Sequence, residues 1–231
     1  MDFLFDSILS AFWLLWTLDP ELTRVIYVSL KVSILSTLFA GLAGVPAGFL
    51  IAFREFRLKR ALLTVLNSLL ALPTVVVGLL VYAFLSRKGP LGMLDLLYTQ
   101  TAIVIGQIIL VFPIVTSLTI AAVGQIDTRY RKTAMTLGAT PFQTALAVFR
   151  EARFAVMAAV IAAFGRVIAE VGISMMLGGN VKGYTRTMTT AMALEYDKGE
   201  FVLAVALGIA LLFIAFGVNV FLNYIQGRTR S

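Results

Sequence analysis

The chain has 231 residues, of which 60% are hydrophobic and 13% are charged, about half the charged share of an average soluble domain. This composition excludes a soluble globular domain and predicts one membrane domain of five or six apolar helices. Because the chain has no cysteine and no histidine, disulfides, thiol nucleophiles, Cys/His metal sites and imidazole proton relays are also excluded.

The net charge of +7 is compatible with a nucleic-acid partner. In so apolar a chain, however, the cations report orientation in the membrane, and we expect no nucleic acid to bind. The sequence contains no G-x-x-x-x-G-K-[ST] phosphate-binding loop, so the chain is not itself an ATPase. We expect no cofactor in this chain.

Residues 1–20 predict an N-terminal interfacial helix. Their apolar run, 8–18, is short for a span, and Asp2 and Asp6 are not the positive flank of a signal peptide. Trp13 and Trp16 favour the headgroup level. A true span is the alternative. Asp19 and Pro20 are then typical of the cap and first turn of a new helix.

Five apolar segments follow, and each predicts a transmembrane span. They are 32–53, 61–86, 102–123, 154–177 and 201–224. Pro46 predicts a kink in the first span, and Pro73 predicts a break in the second. The segments 87–98 and 178–200 are predicted as polar connections.

Residues 127–153 form the one long segment that is helix-prone and too polar to cross a bilayer. Asp127 or Thr128 can cap a first helix, Gly138 can end it, and Thr140-Pro141 can begin a second.

Cations fix the predicted orientation of the five spans. Four lie in 54–60, five in 127–153 and two at the C-terminus, and these three segments share one side. The other side carries six, so the positive-inside rule places 127–153 and the C-terminus in the cytoplasm and the N-terminus outside.

Charged and polar residues inside the spans or directly beside them are the candidates for a gate or a pore. Arg166 and Glu170 are four residues apart and can pair on one helix face, either as a gate or dimer-interface ion pair or as a structural neutralisation. Thr74, Gln107, Ser174 and Asn180 are neutral, as the lining of an anion conduit should be. Hydrogen bonds between helices are the alternative role for these four.

Three stretches carry a resemblance to a known family. Lys132-Thr133-Ala134, followed after three positions by Gly138, resembles the E-A-A-x-x-x-G loop of ABC importer permeases, although its first two letters differ. The stretch 72–82 with the Gly-Pro-Leu-Gly of 89–92, and the stretch 170–187, are similar to molybdate- and tungstate-type permeases. The stretch 170–187 is closer to the tungstate branch.

The resemblance implies an all-α polytopic membrane protein with the type I ABC importer permease fold, five core transmembrane helices and the N-terminal interfacial helix. It implies a homodimer in membrane lipid, two cytoplasmic ATPase subunits that hydrolyse ATP, and an external oxyanion receptor. In that family the cytoplasmic loop docks in a groove of the ATPase. Here the matching residues are Arg129, Lys132, Thr133, Ala134, Gly138, Ala139, Thr140 and Pro141.

The implied function is therefore transport, not catalysis, with tungstate as the first candidate and molybdate or another oxyanion as the alternative. A membrane scaffold whose basic loop recruits a cytoplasmic partner is the rival from a different class. Lys182 and Arg186, predicted at the outer end of a span, either receive the anion or belong to a solvated loop.

Overall fold

The structure, a computed structural model, describes residues 8–10, 12–13, 16–17 and 19–227, without the side chains of 128, 219 and 221–227. Nine helices are bounded in this part of the chain. They are α1 (Pro20–Phe53), α2 (Lys59–Leu69), α3 (Thr74–Leu85), α4 (Gln100–Gly124), α5 (Thr128–Thr136), α6 (Pro141–Ile168), α7 (Gly172–Gly178), α8 (Met188–Lys198) and α9 (Phe201–Gly227), with a 3₁₀ turn at Gly92–Leu94. The predicted interfacial helix lies largely outside the described residues and stays a prediction.

The first helix begins twelve residues before the apolar segment that predicted it. Asp19 Oδ1 accepts from the backbone N–H of Glu21 at 2.8 Å and of Leu22 at 3.0 Å, and Pro20 fills the first turn, as the sequence predicted. The long helix packs along α4 and α6. It continues through Pro46, and α4 likewise continues through Pro113.

Two pairs of helices are bent. α2 and α3 meet at 99° across the break before Thr74, where Pro73 was predicted to break the span, and α6 and α7 meet at 60°. Within the described residues, three helices are long and apolar enough to cross a membrane, and five spans are reached if each bent pair is one span. The five predicted spans therefore require both bent pairs to act as broken spans.

The prediction for residues 178–200 is wrong. The segment 178–200 is not simply a polar connection, because residues 185–191 are buried and α8 begins at Met188. The threonines of this segment find hydrogen-bond partners close by. Thr187, for example, caps α8 in a reciprocal capping box with Thr190. The second helix of the 127–153 segment continues without a break into the predicted span 154–177, because apolar residues continue its periodicity to Ile168.

The core is built where these helices cross. One cluster joins α3, α4, α6 and α7, and includes Val111, Val115, Ala163 and Ile173. A second cluster joins α1, α8 and α9. The bend between α6 and α7 borders both clusters, because Val167 and Ile173 belong to the first and Ile168 belongs to the second, so a movement of this bend would affect both.

Candidate functional site

The polar segment folds as the sequence predicted. Asp127 Oδ1 accepts from the backbone N–H of Arg129 at 2.8 Å and begins α5. Gly138 has φ of +84°, the left-handed conformation that ends a helix and that favours glycine. Thr140 then caps α6 in a capping box with Gln143, and Pro141 occupies the first turn.

This helix–turn–helix presents the predicted docking residues at one surface. Arg129, Lys132, Thr133, Gly138, Thr140 and Pro141 are exposed, and Ala134 and Ala139 are half-buried. Leu137 and Phe142, on either side of the turn, are 82% and 78% exposed. They were not predicted from the sequence, although large apolar residues flanking the glycine of a polar loop are a usable signal, since such anchors carry much of the binding energy in interfaces.

Arg131 fixes α5 to the end of α1. Its Cζ lies 4.2 Å from the centroid of the Phe53 ring, and its Nη1 donates to the Phe53 carbonyl oxygen at 3.4 Å. A guanidinium over an aromatic face is attracted by the negative face of the ring. The contact spans 78 positions of sequence, so the sequence alone gave no sign of it.

Glu170 and Arg166 meet at the bend between α6 and α7. Arg166 Nη1 donates to Glu170 Oε2 at 2.7 Å, and Oε1 of the same carboxylate accepts from the backbone N–H of Ile173 at 3.3 Å. The Glu170 carbonyl oxygen accepts from Thr189 Oγ1 at 2.8 Å. One residue thus joins the last turn of α6, the first turn of α7 and the start of α8. Its depth in the membrane and any role in gating remain predictions.

The four pore candidates lie in different surroundings. Gln107 is buried between α4 and α1, where its Oε1 accepts from Ser36 Oγ at 2.8 Å; this is the interhelical contact that the sequence allowed as the alternative. Ser174 is buried, and its hydroxyl has no hydrogen-bond partner among the described residues.

The other two candidates lie near the bend and the outer connection. A Cβ added to Gly172 would lie 3.0 Å from Thr74 Oγ1 and 3.3 Å from Glu170 Oε1, which places the Thr74 hydroxyl beside the bend. Asn180, with φ of +50°, donates from Nδ2 to the Thr190 carbonyl oxygen at 3.3 Å. The structure thus brings Thr74 to Glu170 and places Gln107 away from them, in a helix interface.

Lys182 and Arg186 are held by acidic residues. Lys182 Nζ lies 2.6 Å from Glu21 Oε2, and Arg186 Nη1 lies 3.4 Å from Glu21 Oε1 and 3.9 Å from Glu195 Oε1. We call Glu21, Lys182, Arg186 and Glu195 the outer clasp, after the side on which the sequence predicts them. The interpretation of Arg186 as part of a solvated loop is wrong, because its side chain is buried and paired within the clasp.

Comparisons with known proteins agree with this architecture. The family described as "Binding-protein-dependent transport system inner membrane component" matches residues 44–231, most of the chain. The chain belongs to this family. It is therefore a multi-pass membrane component of a transport system and not an enzyme, and the resemblance found in the sequence is confirmed.

Curated relatives cover almost the whole chain. It is 38% identical to the tungstate uptake system permease protein of Peptoclostridium acidaminophilum, over 98% of this chain and 99% of that protein. It is 39% identical to the protein of that name in Campylobacter jejuni, over 95% of this chain and 92% of that one. The molybdenum transport system permease protein of Escherichia coli K12 is 29% identical, over 75% of this chain and 79% of the relative.

Solved structures share the fold at low identity. An inward-facing methionine ABC transporter matches with a TM-score of 0.72 and 17% identity, over 92% of this chain and 95% of that chain. A bacterial alginate ABC transporter in complex with a periplasmic protein matches with a TM-score of 0.71 and 20% identity, over 90% of this chain and 79% of that chain. The fold is thus that of type I ABC importer permeases, as predicted. The similarity to these structures does not indicate the substrate.

Proposed function

We propose that the chain is the permease subunit of an importer for a tetrahedral oxyanion, with tungstate as its substrate. The observation that carries this proposal is the identity of 38–39% to two tungstate permeases across nearly the full length of the chain. Molybdate is the second candidate, favoured by the more distant molybdenum permease.

The working unit in this proposal is a homodimer that carries two ATPase subunits on the cytoplasmic side and receives its anion from an external receptor. Support for the ATPase contact comes from the exposed turn around Gly138, which places Leu137 and Phe142 where a groove can bury them. Arg131 supports the same role, because its contact with Phe53 carries a displacement of α5 directly to the end of α1. The C-terminus and the α5–α6 turn lie in the cytoplasm, and the N-terminus lies outside.

Selectivity in this proposal belongs mainly to the receptor. A conduit releases its ion only when binding along the path is weak, so fixed cations in the path should be neutralised. Arg166 is paired with Glu170, and Arg186 is paired with Glu21, which fits this requirement. The membrane subunit then discriminates poorly among oxyanions of similar size and charge.

Uptake by the reconstituted complex tests the proposal. The permease, its ATPase and its receptor are placed in proteoliposomes, and ATP-dependent accumulation of tungstate, molybdate and sulfate is compared. We expect tungstate to accumulate only when receptor and ATP are both present. Accumulation of none of the three oxyanions would refute the proposed substrate class, and preference for molybdate would replace tungstate within that class.

A further inference from the structure

A second polar region lies at the opposite end of the protein from the α5–α6 turn. A cavity of about 590 Å³ opens where α3 ends and the α3–α4 connection begins, and we call it the outer cavity. Its polar wall is formed by Tyr82, Ser86, Arg87, Lys88, Asp95 and Tyr98. Since a water molecule takes about 30 Å³ in the liquid, this volume holds an oxyanion together with waters of its hydration shell.

We propose that the outer cavity binds a tetrahedral oxyanion and is the site where the transported anion enters the permease. This inference rests on the proposed function and adds to it a binding site and named residues. None of these residues belongs to the docking turn, to the bend at Glu170 or to the outer clasp.

The charge of the wall favours an anion. Arg87 and Lys88 contribute two cations against the single carboxylate of Asp95. Arg87 Nε lies 4.0 Å from Asp95 Oδ1, and the two side chains are 91% and 82% exposed. An exposed pair at this distance contributes about 1 kcal/mol or less, so a divalent oxyanion can displace the carboxylate from Arg87.

Neutral hydroxyls complete the wall. A hydrogen bond with the Tyr82 hydroxyl raises the pKa of Tyr98 above its ordinary value of 10.0, so Tyr98 stays neutral at physiological pH. A bond between two hydroxyls uses one of their two protons and leaves the other O–H free to donate to an anion. Neutral donors beside exposed cations bind an oxyanion without trapping it, as an entry site requires.

The backbone holds this wall in place. Tyr98 and Asp95 have φ of +60° and +49°, a conformation that non-glycine residues rarely adopt unless their surroundings hold it. The Tyr98 backbone N–H donates to the Leu177 carbonyl oxygen at 2.8 Å, and its ring covers Gly179, where an added Cβ would lie 2.5 Å from Tyr98 Cδ1. Tyr98 is thereby attached to the end of α7, the helix that follows the bend at Glu170.

Cysteine protection tests the site directly, because the chain has no native cysteine. Ser86→Cys places a thiol in the cavity wall, and the Ser86 hydroxyl donates only to the Ala83 carbonyl oxygen, at 3.2 Å, among the hydrogen bonds described. Met93→Cys, in the same connection but outside the cavity wall, is the matched control. Both variants are measured as the full permease–ATPase complex in nanodiscs, with thiol reagents of equal size and opposite charge.

We expect the anionic reagent to modify Ser86→Cys about tenfold faster than the cationic one, since a cleft with an excess of positive charge concentrates anions by about this factor. Tungstate should slow this reaction saturably, while chloride at equal ionic strength should not, and neither should protect Met93→Cys. Adding Lys88→Gln to Ser86→Cys should remove both the charge preference and the protection. Equal rates for the two reagents, or equal protection by chloride, would overturn the proposal.

The headgroup phosphate of a lipid has the same chemistry as the transported anion. The measurement is therefore repeated in a bilayer of uncharged, phosphate-free glycolipid. If Ser86→Cys becomes reactive only there and tungstate protects in neither bilayer, the site binds lipid and the proposed entry role is refuted. Uptake by the parent complex is measured in parallel. Tungstate uptake without protection of Ser86→Cys by tungstate overturns the entry site alone. If no oxyanion is taken up, the proposed function is overturned.

Discussion

Removing either partner of the Arg166–Glu170 pair should destabilise the protein, but by different amounts. The Glu170 side chain is 2% exposed, whereas that of Arg166 is 43% exposed in the single chain. Arg166→Met leaves a buried carboxylate without its cation. Glu170→Gln leaves an arginine that can reach the surface of the chain, and it keeps a side-chain oxygen for the backbone N–H of Ile173.

The structure sets the magnitudes. Removing one partner of a buried pair costs about 3–5 kcal/mol, and we expect Arg166→Met to fall in this range. Glu170→Gln weakens a charged hydrogen bond without stranding a buried group, at a cost of about 1–2 kcal/mol. The difference of about 2 kcal/mol corresponds to about 4–8 °C in the midpoint of thermal unfolding for a chain of this size.

Thermal unfolding of the purified complex in detergent measures this difference. Arg166→Met should unfold first, Glu170→Gln should lie between it and the parent, and the double variant should be more stable than Arg166→Met because no buried charge is left unpaired. Arg150→Met, an exposed arginine on the same helix, is the control and should change stability by less than about 0.5 kcal/mol. Equal losses in the two single variants, or a double variant no better than Arg166→Met, would refute the reasoning.

Three further predictions concern docking, the role of Gln107 and topology. Gly138→Val should weaken ATPase association and uptake while the spans stay folded, because the left-handed conformation costs a residue with a β-carbon about 1–2 kcal/mol. Gly138→Asn is the control and should retain most of the ATPase association and of the uptake. Full uptake by Gly138→Val would reject the docking role. Gln107→Leu should lower stability by about 1 kcal/mol and leave the uptake rate unchanged, as an interhelical hydrogen bond requires; slow uptake at unchanged stability would instead indicate a pore residue. A cysteine replacing Phe56 should react from the cytoplasm and one replacing Tyr196 from outside, and the same side for both would contradict the five-span orientation.

Local features of the fold were predictable from the sequence because local chemistry decides them. Asp19-Pro20 and Thr140-Pro141 begin helices with side chains and rings that act within one turn, and Gly138 ends one through a conformation that it adopts without strain. The Arg166–Glu170 contact was predicted from a spacing of four residues, and it forms although Glu170 lies just beyond the end of α6. Each of these features depends on a few residues that are close together in the sequence.

Contacts between distant segments were not predictable in this way. The partner of Arg186 is Glu21, 165 positions away, and the backbone N–H of Met188 donates to Ser29 Oγ at 2.6 Å across 159 positions. In a polar, threonine-rich segment the sequence shows polarity but not burial, so it predicts a connection at 178–200. Burial is allowed because the backbone N–H of Met188 finds a partner in α1 and the threonine hydroxyls find partners at Glu170 and within the segment itself.

Among the described residues, the cations differ in how closely a carboxylate neutralises them. This difference depends on where in the structure each cation lies. Arg166 beside the bend and Arg186 in the outer clasp each lie against a carboxylate that is at least half-buried, so neither offers a free charge to a passing anion. Arg87 and Lys88 lie in an open cavity, with only a distant and exposed carboxylate to oppose them. An anion is attracted strongly where charge is unopposed and is held weakly where charge is paired. Under the proposed entry role, positive charge brings the oxyanion to the outer cavity, and hydration and neutral hydroxyls accompany it beyond that point.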